Sequence, residues 1–97
     1  MKNREAEKMD RLVDLVLRHT PLYHKMKEQL AVAAWKDVVG EMINFRTKRI
    51  WINNGILYLA FDSSVIRNEI SMIKESLIIK LNSKVGLNVI RDIVFVK

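Results

Sequence analysis

The chain has 97 residues, of which 49% are hydrophobic and 29% charged, and these values are typical of one soluble globular domain. It contains no cysteine, which excludes disulfide bonds, thiol catalysis and cysteine-ligated zinc. The formal net charge of +6 at pH 7 favours acidic partners, with nucleic acid foremost.

No segment of the sequence suggests a membrane protein or an exported one. Every apolar run is much shorter than the roughly 18 residues that a membrane helix requires. Residues 1–5 are mostly charged or polar and lack the apolar region of a signal peptide. We therefore predict a single domain over residues 1–97, located in the cytoplasm.

Two helices are predicted in the first part of the chain. Residues 4–18 repeat apolar side chains at i, i+3, i+4 and i+7, which is typical of an amphipathic helix. A second helix is predicted over residues 21–39, because Thr20 suits the N-cap and Pro21 the first helical position. Residues 30–39 are almost entirely apolar, so this half is expected to be buried on more than one side.

Trp35 and Gly40 stand out near the end of the second helix. Trp35 lies in the most apolar stretch of the chain, where large aromatic side chains usually anchor a core, so a structural role is predicted. Gly40 allows two interpretations. It ends the helix in a left-handed cap, or it lets another element approach a helix that continues through Met42.

The centre of the chain is predicted to form a tight β-hairpin with strands near residues 46–53 and 56–61. Its turn is Asn54-Gly55, the strongest short hairpin signal, because a type I′ turn needs positive φ at both central residues. A two-residue loop at this point fixes the register of the strands. The register pairs Asn53 with Ile56, Ile52 with Leu57, Trp51 with Tyr58, Ile50 with Leu59 and Arg49 with Ala60.

This register divides the hairpin side chains between two faces. The face predicted to join the core carries Ile50, Ile52, Leu57, Leu59 and Phe61. The candidate nucleic-acid-binding surface comprises Arg46, Lys48, Arg49, Trp51 and Tyr58. Exposed aromatic rings stack on unpaired bases while neighbouring cations hold phosphates. A cross-strand aromatic pair can equally serve to stabilise the hairpin, or lie beneath the first helix or a partner chain.

The last third of the chain predicts one helix and one strand. Helix-capping residues stand at 62–64, and the core stripe that follows is Ile66, Ile70, Ile73, Leu77 and Leu81. Gly86 suits the end of that helix, and residues 88–96 predict a strand with Ile93 and Phe95 inward. The order helix, helix, strand, strand, helix, strand indicates an α+β fold with helices on one face of a three-stranded sheet.

The sequence offers no arrangement typical of an enzyme or of a cofactor site. Its three glycines stand at 40, 55 and 86, too far apart for either nucleotide-phosphate loop motif. His19 and His24 do not have the i, i+4 spacing of helical metal pairs. Ser63 and Ser64 lack the glycines of a nucleophile elbow and suit a helix cap instead. We therefore predict no catalysis, no metal and no cofactor.

From Trp35 onward the sequence resembles the DciA family of bacterial proteins. The resemblance is carried by residues 35–40 (WKDVVG), 50–59 (IWINNGILYL), 62–70 (DSSVIRNEI), 81–82 (LN) and 93–95 (IVF). It implies a KH-like α+β core, which we expect over residues 21–97 behind a leading helix within residues 1–20. It also implies a role in bacterial DNA replication, in which the protein helps to place the replicative hexameric helicase on DNA without hydrolysing ATP itself.

The resemblance leaves open which surface contacts nucleic acid. Nucleic-acid-binding KH domains clamp the backbone with a G-x-x-G loop, and this sequence has none. Any DNA contact must therefore use another surface, for which we predict the five hairpin residues named above.

Three functions follow as hypotheses. The first is a non-enzymatic DNA-binding accessory protein, associated with the nucleoid, that assists loading or operation of the replicative helicase. It would contact mainly the phosphate backbone, with low sequence specificity. The second is a protein-interaction adaptor without DNA contact, whose aromatic face docks a partner helix or a second copy in a weak homodimer. The third is an RNA-binding KH relative.

Overall fold

The structure is a computed structural model, and it describes residues 20–97. The leading helix predicted over residues 4–18 lies outside the described residues, as does His19. The described helices are α1 (Pro21–Ala33), α2 (Trp35–Val39), α3 (Glu41–Arg46), α4 (Ser64–Met72) and α5 (Lys74–Val85), and the strands are β1 (Thr47–Asn53), β2 (Ile56–Phe61) and β3 (Asp92–Phe95). The predicted α+β class with a three-stranded sheet is confirmed.

The sheet is mixed and has the strand order β1-β2-β3. β1 and β2 are antiparallel, and every predicted pair of the hairpin is present. Asn54 and Gly55 have φ angles of 52° and 79°, as a type I′ turn requires. β3 runs parallel to β2 and places Ile93 beside Leu57. The predicted register is therefore confirmed, and β2 becomes the central strand.

The caps predicted at the ends of the helices are also confirmed. Thr20 Oγ1 accepts a hydrogen bond from the N–H of Tyr23 at 3.1 Å, at the start of α1. Ser63 Oγ accepts from the N–H of Ile66 at 3.4 Å, at the start of α4. Gly86 ends α5 in a left-handed conformation with φ of 74°.

The prediction of one continuous helix over residues 21–39 is wrong. A turn at Ala34 divides it into α1 and α2. Because the turn redirects the chain, Ala31 and Trp35 both reach the core, while Leu30 stays 47% exposed. The expected burial of this half on more than one side is therefore wrong.

Gly40 fulfils neither of its two interpretations. Its φ of 90° and ψ of 168° lie outside the left-handed helical region, and a Cβ placed on it would meet no atom within 4 Å. Gly40 instead separates α2 from α3, and α3 carries the helical chain on to Arg46. β1 therefore begins at Thr47, one residue later than the start predicted near residue 46.

The helix predicted after residues 62–64 is divided by a turn at Ile73. Ile70, Leu77 and Leu81 are buried as predicted, but Ile73 is 48% exposed. The turn lets α4 and α5 follow the sheet separately, so each buries its own apolar positions. The residue at the turn is left outside the core stripe.

The last strand is shorter than predicted, because β3 covers Asp92–Phe95 rather than residues 88–96. Buried Asn82 explains why the strand begins late. Its Oδ1 accepts hydrogen bonds from the N–H groups of Val89 and Ile90 at 3.1 and 2.9 Å, and its Nδ2 donates to Ile90 O at 2.9 Å. Backbone groups bound by a side chain are not available to a strand ladder.

The core lies between the helices and one face of the sheet. Its buried members are Ala31, Trp35, Leu57, Leu59, Ile70, Leu77, Leu81, Val85, Val89, Ile90 and Ile93. Trp35 Nε1 donates to Thr47 Oγ1 at 3.0 Å, and that hydroxyl donates to Ile43 O at 2.7 Å. These bonds connect α2, α3 and β1 and satisfy the buried indole N–H. The structural role predicted for Trp35 is confirmed.

Candidate nucleic-acid interface

The outer face of the sheet, opposite the core, carries the predicted aromatic pair. Trp51 of β1, Tyr58 of β2 and Val94 of β3 are neighbours across the three strands. Because side chains alternate along a strand, these three point away from Leu57 and Ile93, which lie in the core. Trp51 is 37% exposed and Tyr58 is half-buried. This face is therefore not part of the core formed by residues 20–97.

The rings of Trp51 and Tyr58 stack on each other, with centroids 5.1 Å apart and planes 13° from parallel. Arg49 Cζ lies 5.0 Å from the centroid of the Trp51 ring, and Arg49 Nη2 donates a hydrogen bond to Lys97 O at 2.6 Å. A guanidinium group has five N–H donors, so Arg49 keeps donors for a ligand. We call Arg49, Trp51 and Tyr58 the aromatic group.

Arg46 and Lys48 belong to a second group, apart from the aromatic group. Arg46 ends α3, and Lys48 lies where the pairing of β1 with β2 shifts register. Arg46 Nη1 is 3.7 Å from Asp62 Oδ1, and Lys48 Nζ is 3.4 Å from Asp62 Oδ2. Lys48 Nζ also lies 5.2 Å from the centroid of the Phe45 ring. We call Arg46, Lys48 and Asp62 the Asp62 cluster.

A groove of about 960 Å³ between α4 and the end of β3 adds cations that sequence reasoning missed. Arg67 and Lys97 line it, together with Ser64 and Glu69. Neither of these two cations forms an ion pair with another of residues 20–97. The hydrogen bond from Arg49 to the Lys97 carbonyl connects the groove to the aromatic group.

The sequence carries little signal for these two cations. Arg67 lies on the polar side of α4, where a charge usually marks a solvated face. Lys97 reaches the groove because β3 pairs in parallel with β2, and the sequence pattern does not reveal that pairing. Only the positive charge at the end of the last predicted strand could have drawn attention to it.

Two further cations, Lys74 and Arg91, are engaged near the hairpin turn. Arg91 Nε donates to Asn54 O at 3.0 Å, and Lys74 Nζ is 3.4 Å from Asp92 Oδ1. The N–H of Ile93 donates to Asp92 at 2.8 Å and is the main reason why the pKa of the Asp92 carboxyl is lowered from 3.8. Burial opposes this shift, and the charges of Lys74 and Arg91 add to it. Arg91 thus connects the start of β3 to the hairpin turn, and Lys74 connects α5 to β3.

Residues 20–97 contain no group of three histidines or carboxylates that could hold a metal ion. His24 Nε2 lies instead 3.6 Å from Glu28 Oε2, one turn along α1. Ser63 serves as the cap of α4. In the same range, no helix combines the length and the apolar character that crossing a membrane demands.

Fold and surface together define a small α+β domain with a basic, aromatic sheet face and a cation-lined groove beside it. The chain also matches the family model described as "Dna[CI] antecedent, DciA" over residues 8–95. Because the match spans most of the 97 residues, the chain belongs to the DciA family, and the resemblance seen from Trp35 onward is confirmed. Comparison with curated proteins gives no match, and neither does comparison with solved structures.

Proposed function

We propose that this protein is a non-enzymatic, DNA-binding accessory protein that assists loading or operation of the bacterial replicative helicase, in the cytoplasm at the nucleoid. The match to the DciA family over residues 8–95 carries the proposal, because the family is consistent with a helicase-loading role. The absence of a nucleotide-phosphate loop from the sequence fits a partner that holds the ATP site. The KH-like description of the core stays a prediction.

The proposed DNA contact uses the aromatic group and the two cations of the Asp62 cluster. Arg46, Lys48 and Arg49 are exposed and would meet phosphate oxygens. Since the indole of Trp51 is already stacked on Tyr58, a base can add only to the part of the ring that remains exposed. Phosphate contacts should therefore dominate, and the binding should depend on salt more than on sequence.

Fluorescence anisotropy with single-stranded and duplex DNA, at low and at high salt, tests the proposal. We expect the affinity to fall steeply as salt rises, because each phosphate contact releases counterions. Scrambling the DNA sequence at fixed length should change the affinity little. Binding that ignores salt, or no binding at low salt, would contradict a DNA-binding role.

A second candidate function, an adaptor without DNA contact, is favoured by an apolar groove elsewhere on the molecule. The groove measures about 600 Å³ and lies between α2–α3 and α4–α5. Val38, Ile43 and Ile73 line it, and Met72 at its edge is 77% exposed. Clustered exposed apolar side chains often mark protein–protein contacts.

Trp51→Ala separates the DNA-binding protein from an adaptor that docks its partner on the aromatic face, as the sequence-based hypothesis has it; Met72→Ser makes the same comparison for an adaptor that uses the apolar groove. Reduced affinity for DNA with helicase retained in a pull-down favours the DNA-binding protein. Loss of helicase binding or of self-association with DNA affinity intact favours the adaptor, and the predicted weak homodimer is read from sedimentation of the same samples. A pull-down with and without nuclease distinguishes direct helicase contact from contact bridged by nucleic acid. RNA that displaces DNA at equal length would favour the third hypothesis, an RNA-binding relative.

A further inference from the structure

The Asp62 cluster has the geometry of an anion site that already contains an anion. The two carboxylate oxygens of Asp62 face different cations, Oδ1 toward Arg46 Nη1 at 3.7 Å and Oδ2 toward Lys48 Nζ at 3.4 Å. A phosphate group presents the same kind of charged oxygens to the same donors. The carboxylate therefore occupies a place that a backbone phosphate could take.

The side chain of Asp62 has no other role among the described residues. The cap of α4 is Ser63, whose Oγ accepts the N–H of Ile66. Asp62 is held through its backbone, whose N–H donates to Arg46 O at 3.3 Å. Moving the carboxylate away from the cations would therefore leave the cap and this backbone contact in place.

The cluster is also open to exchange. The side chains of Arg46 and Lys48 are 49% and 50% exposed, and that of Asp62 is 33% exposed. Exposed ion pairs of this kind contribute little to stability, so a competing anion can displace the carboxylate easily. The position just before a helix N-terminus is favourable for either anion.

We propose that the Asp62 cluster is a phosphate site for the DNA backbone, in which Asp62 holds Arg46 and Lys48 in place and is displaced when a phosphate binds. This inference rests on the proposed DNA-binding function and adds a competing residue to it. Two cations and one carboxylate give the cluster one net positive charge, and replacing the carboxylate by an amide gives it two. Asp62 therefore lowers the affinity for DNA.

The test compares Asp62→Asn with Asp37→Asn in anisotropy titrations against mixed-sequence single-stranded and duplex DNA. Asp37 is an exposed residue of α2 without an ion pair to any of residues 20–97, so its variant makes the same charge change away from the cluster. We expect Asp62→Asn to tighten binding about three- to tenfold at low salt and to steepen the salt dependence. Asp37→Asn should tighten it less than about twofold.

A variant that lacks both cations of the cluster shows whether the effect of Asp62→Asn depends on them. In Arg46→Gln/Lys48→Gln the gain from Asp62→Asn should vanish, because the two cations for which the carboxylate and the phosphate compete are gone. A gain no larger than that of Asp37→Asn, or one that persists in this background, overturns the inference while leaving the proposed function standing. Wild-type protein that binds no DNA at low salt overturns both. Melting curves of each variant confirm that the comparison is between folded proteins.

Discussion

The side chain of Asn82 connects α5 to the segment that leads into β3. It is buried and bonds the backbone N–H groups of Val89 and Ile90 and the carbonyl of Ile90. Asn82→Ala leaves these buried groups without partners, so we expect the free energy of unfolding to fall by about 2–4 kcal/mol. Urea unfolding followed by circular dichroism measures the change.

The control for Asn82→Ala is Asn88→Ala, at an exposed position of the same segment. Asn88 has no side-chain hydrogen bond to the rest of residues 20–97, so its loss should change the free energy of unfolding by less than about 0.5 kcal/mol. Similar losses in both variants would mean that the segment, rather than the amide of Asn82, determines the stability.

Asp92 gives the stability a defined pH dependence. Its pKa is lowered from 3.8 in the folded protein, so its ionised form adds stability above 3.8, and this contribution is lost as pH falls through the lower, folded value. Asp92→Asn should therefore lower Tm slightly near neutral pH, because Lys74 loses its charged partner. The difference in Tm between variant and wild type should shrink as pH falls below 3.8.

Thermal melts of wild type and Asp92→Asn across that pH range provide the measurement. Asparagine keeps an oxygen that can accept the N–H of Ile93, so the comparison isolates the charge. A difference in Tm that stays constant at every pH would show that the charge of Asp92 contributes nothing.

At the scale of elements, the groove between α4 and β3 depends on how the last strand is placed. The parallel pairing of β3 with β2 brings Lys97 beside α4, the helix that carries Arg67. Arg67 and Lys97 are thus brought to one groove from opposite ends of the last third of the chain. Arg67 and Lys97 therefore share this groove because of the order and direction of the strands.

Arg67→Gln and Lys97→Gln test whether DNA runs through this groove. If each cation contacts a phosphate, each variant should weaken DNA binding a few-fold and reduce the slope of log affinity against log salt by about 1. Lys25→Gln is the matched control, because Lys25 is exposed on α1 and forms no ion pair with other residues in the range 20–97. Equal effects from all three variants would indicate a response to net charge alone.

At the scale of the whole molecule, the features predictable from the sequence are those that depend on near neighbours. The turn at Asn54-Gly55 determines the hairpin register, and Thr20, Ser63 and Gly86 cap their helices through groups a few residues away. The turns at Ala34 and Ile73 were not predictable in this way. Each lies within a continuous helical pattern and arises because the helices must fit the sheet.

The same distinction applies to the candidate site, where some features depend on near neighbours and others do not. The outward position of Trp51 and Tyr58 follows from the register and was predictable. The separation of Arg46 and Lys48 from the aromatic group was not predictable, because Arg46 ends a helix and Lys48 lies at a shift in strand pairing. The position of Lys97 in the groove could be predicted only by knowing that β3 pairs in parallel with β2. Whether any of these side chains contacts DNA stays a prediction.

The edge position of β1 has a consequence for any experiment that removes its charges. Within residues 20–97, β1 pairs with β2 alone and is therefore an edge strand, the position at which a strand from another molecule can add to a sheet. Lys48 at the shift in pairing and Arg49 beside it are the kind of features that discourage such sheet extension. Substituting both cations to abolish ligand contact would also remove this protection against strand addition, and the variant could then aggregate. A variant that fails to bind DNA must therefore first be shown by light scattering to be monodisperse.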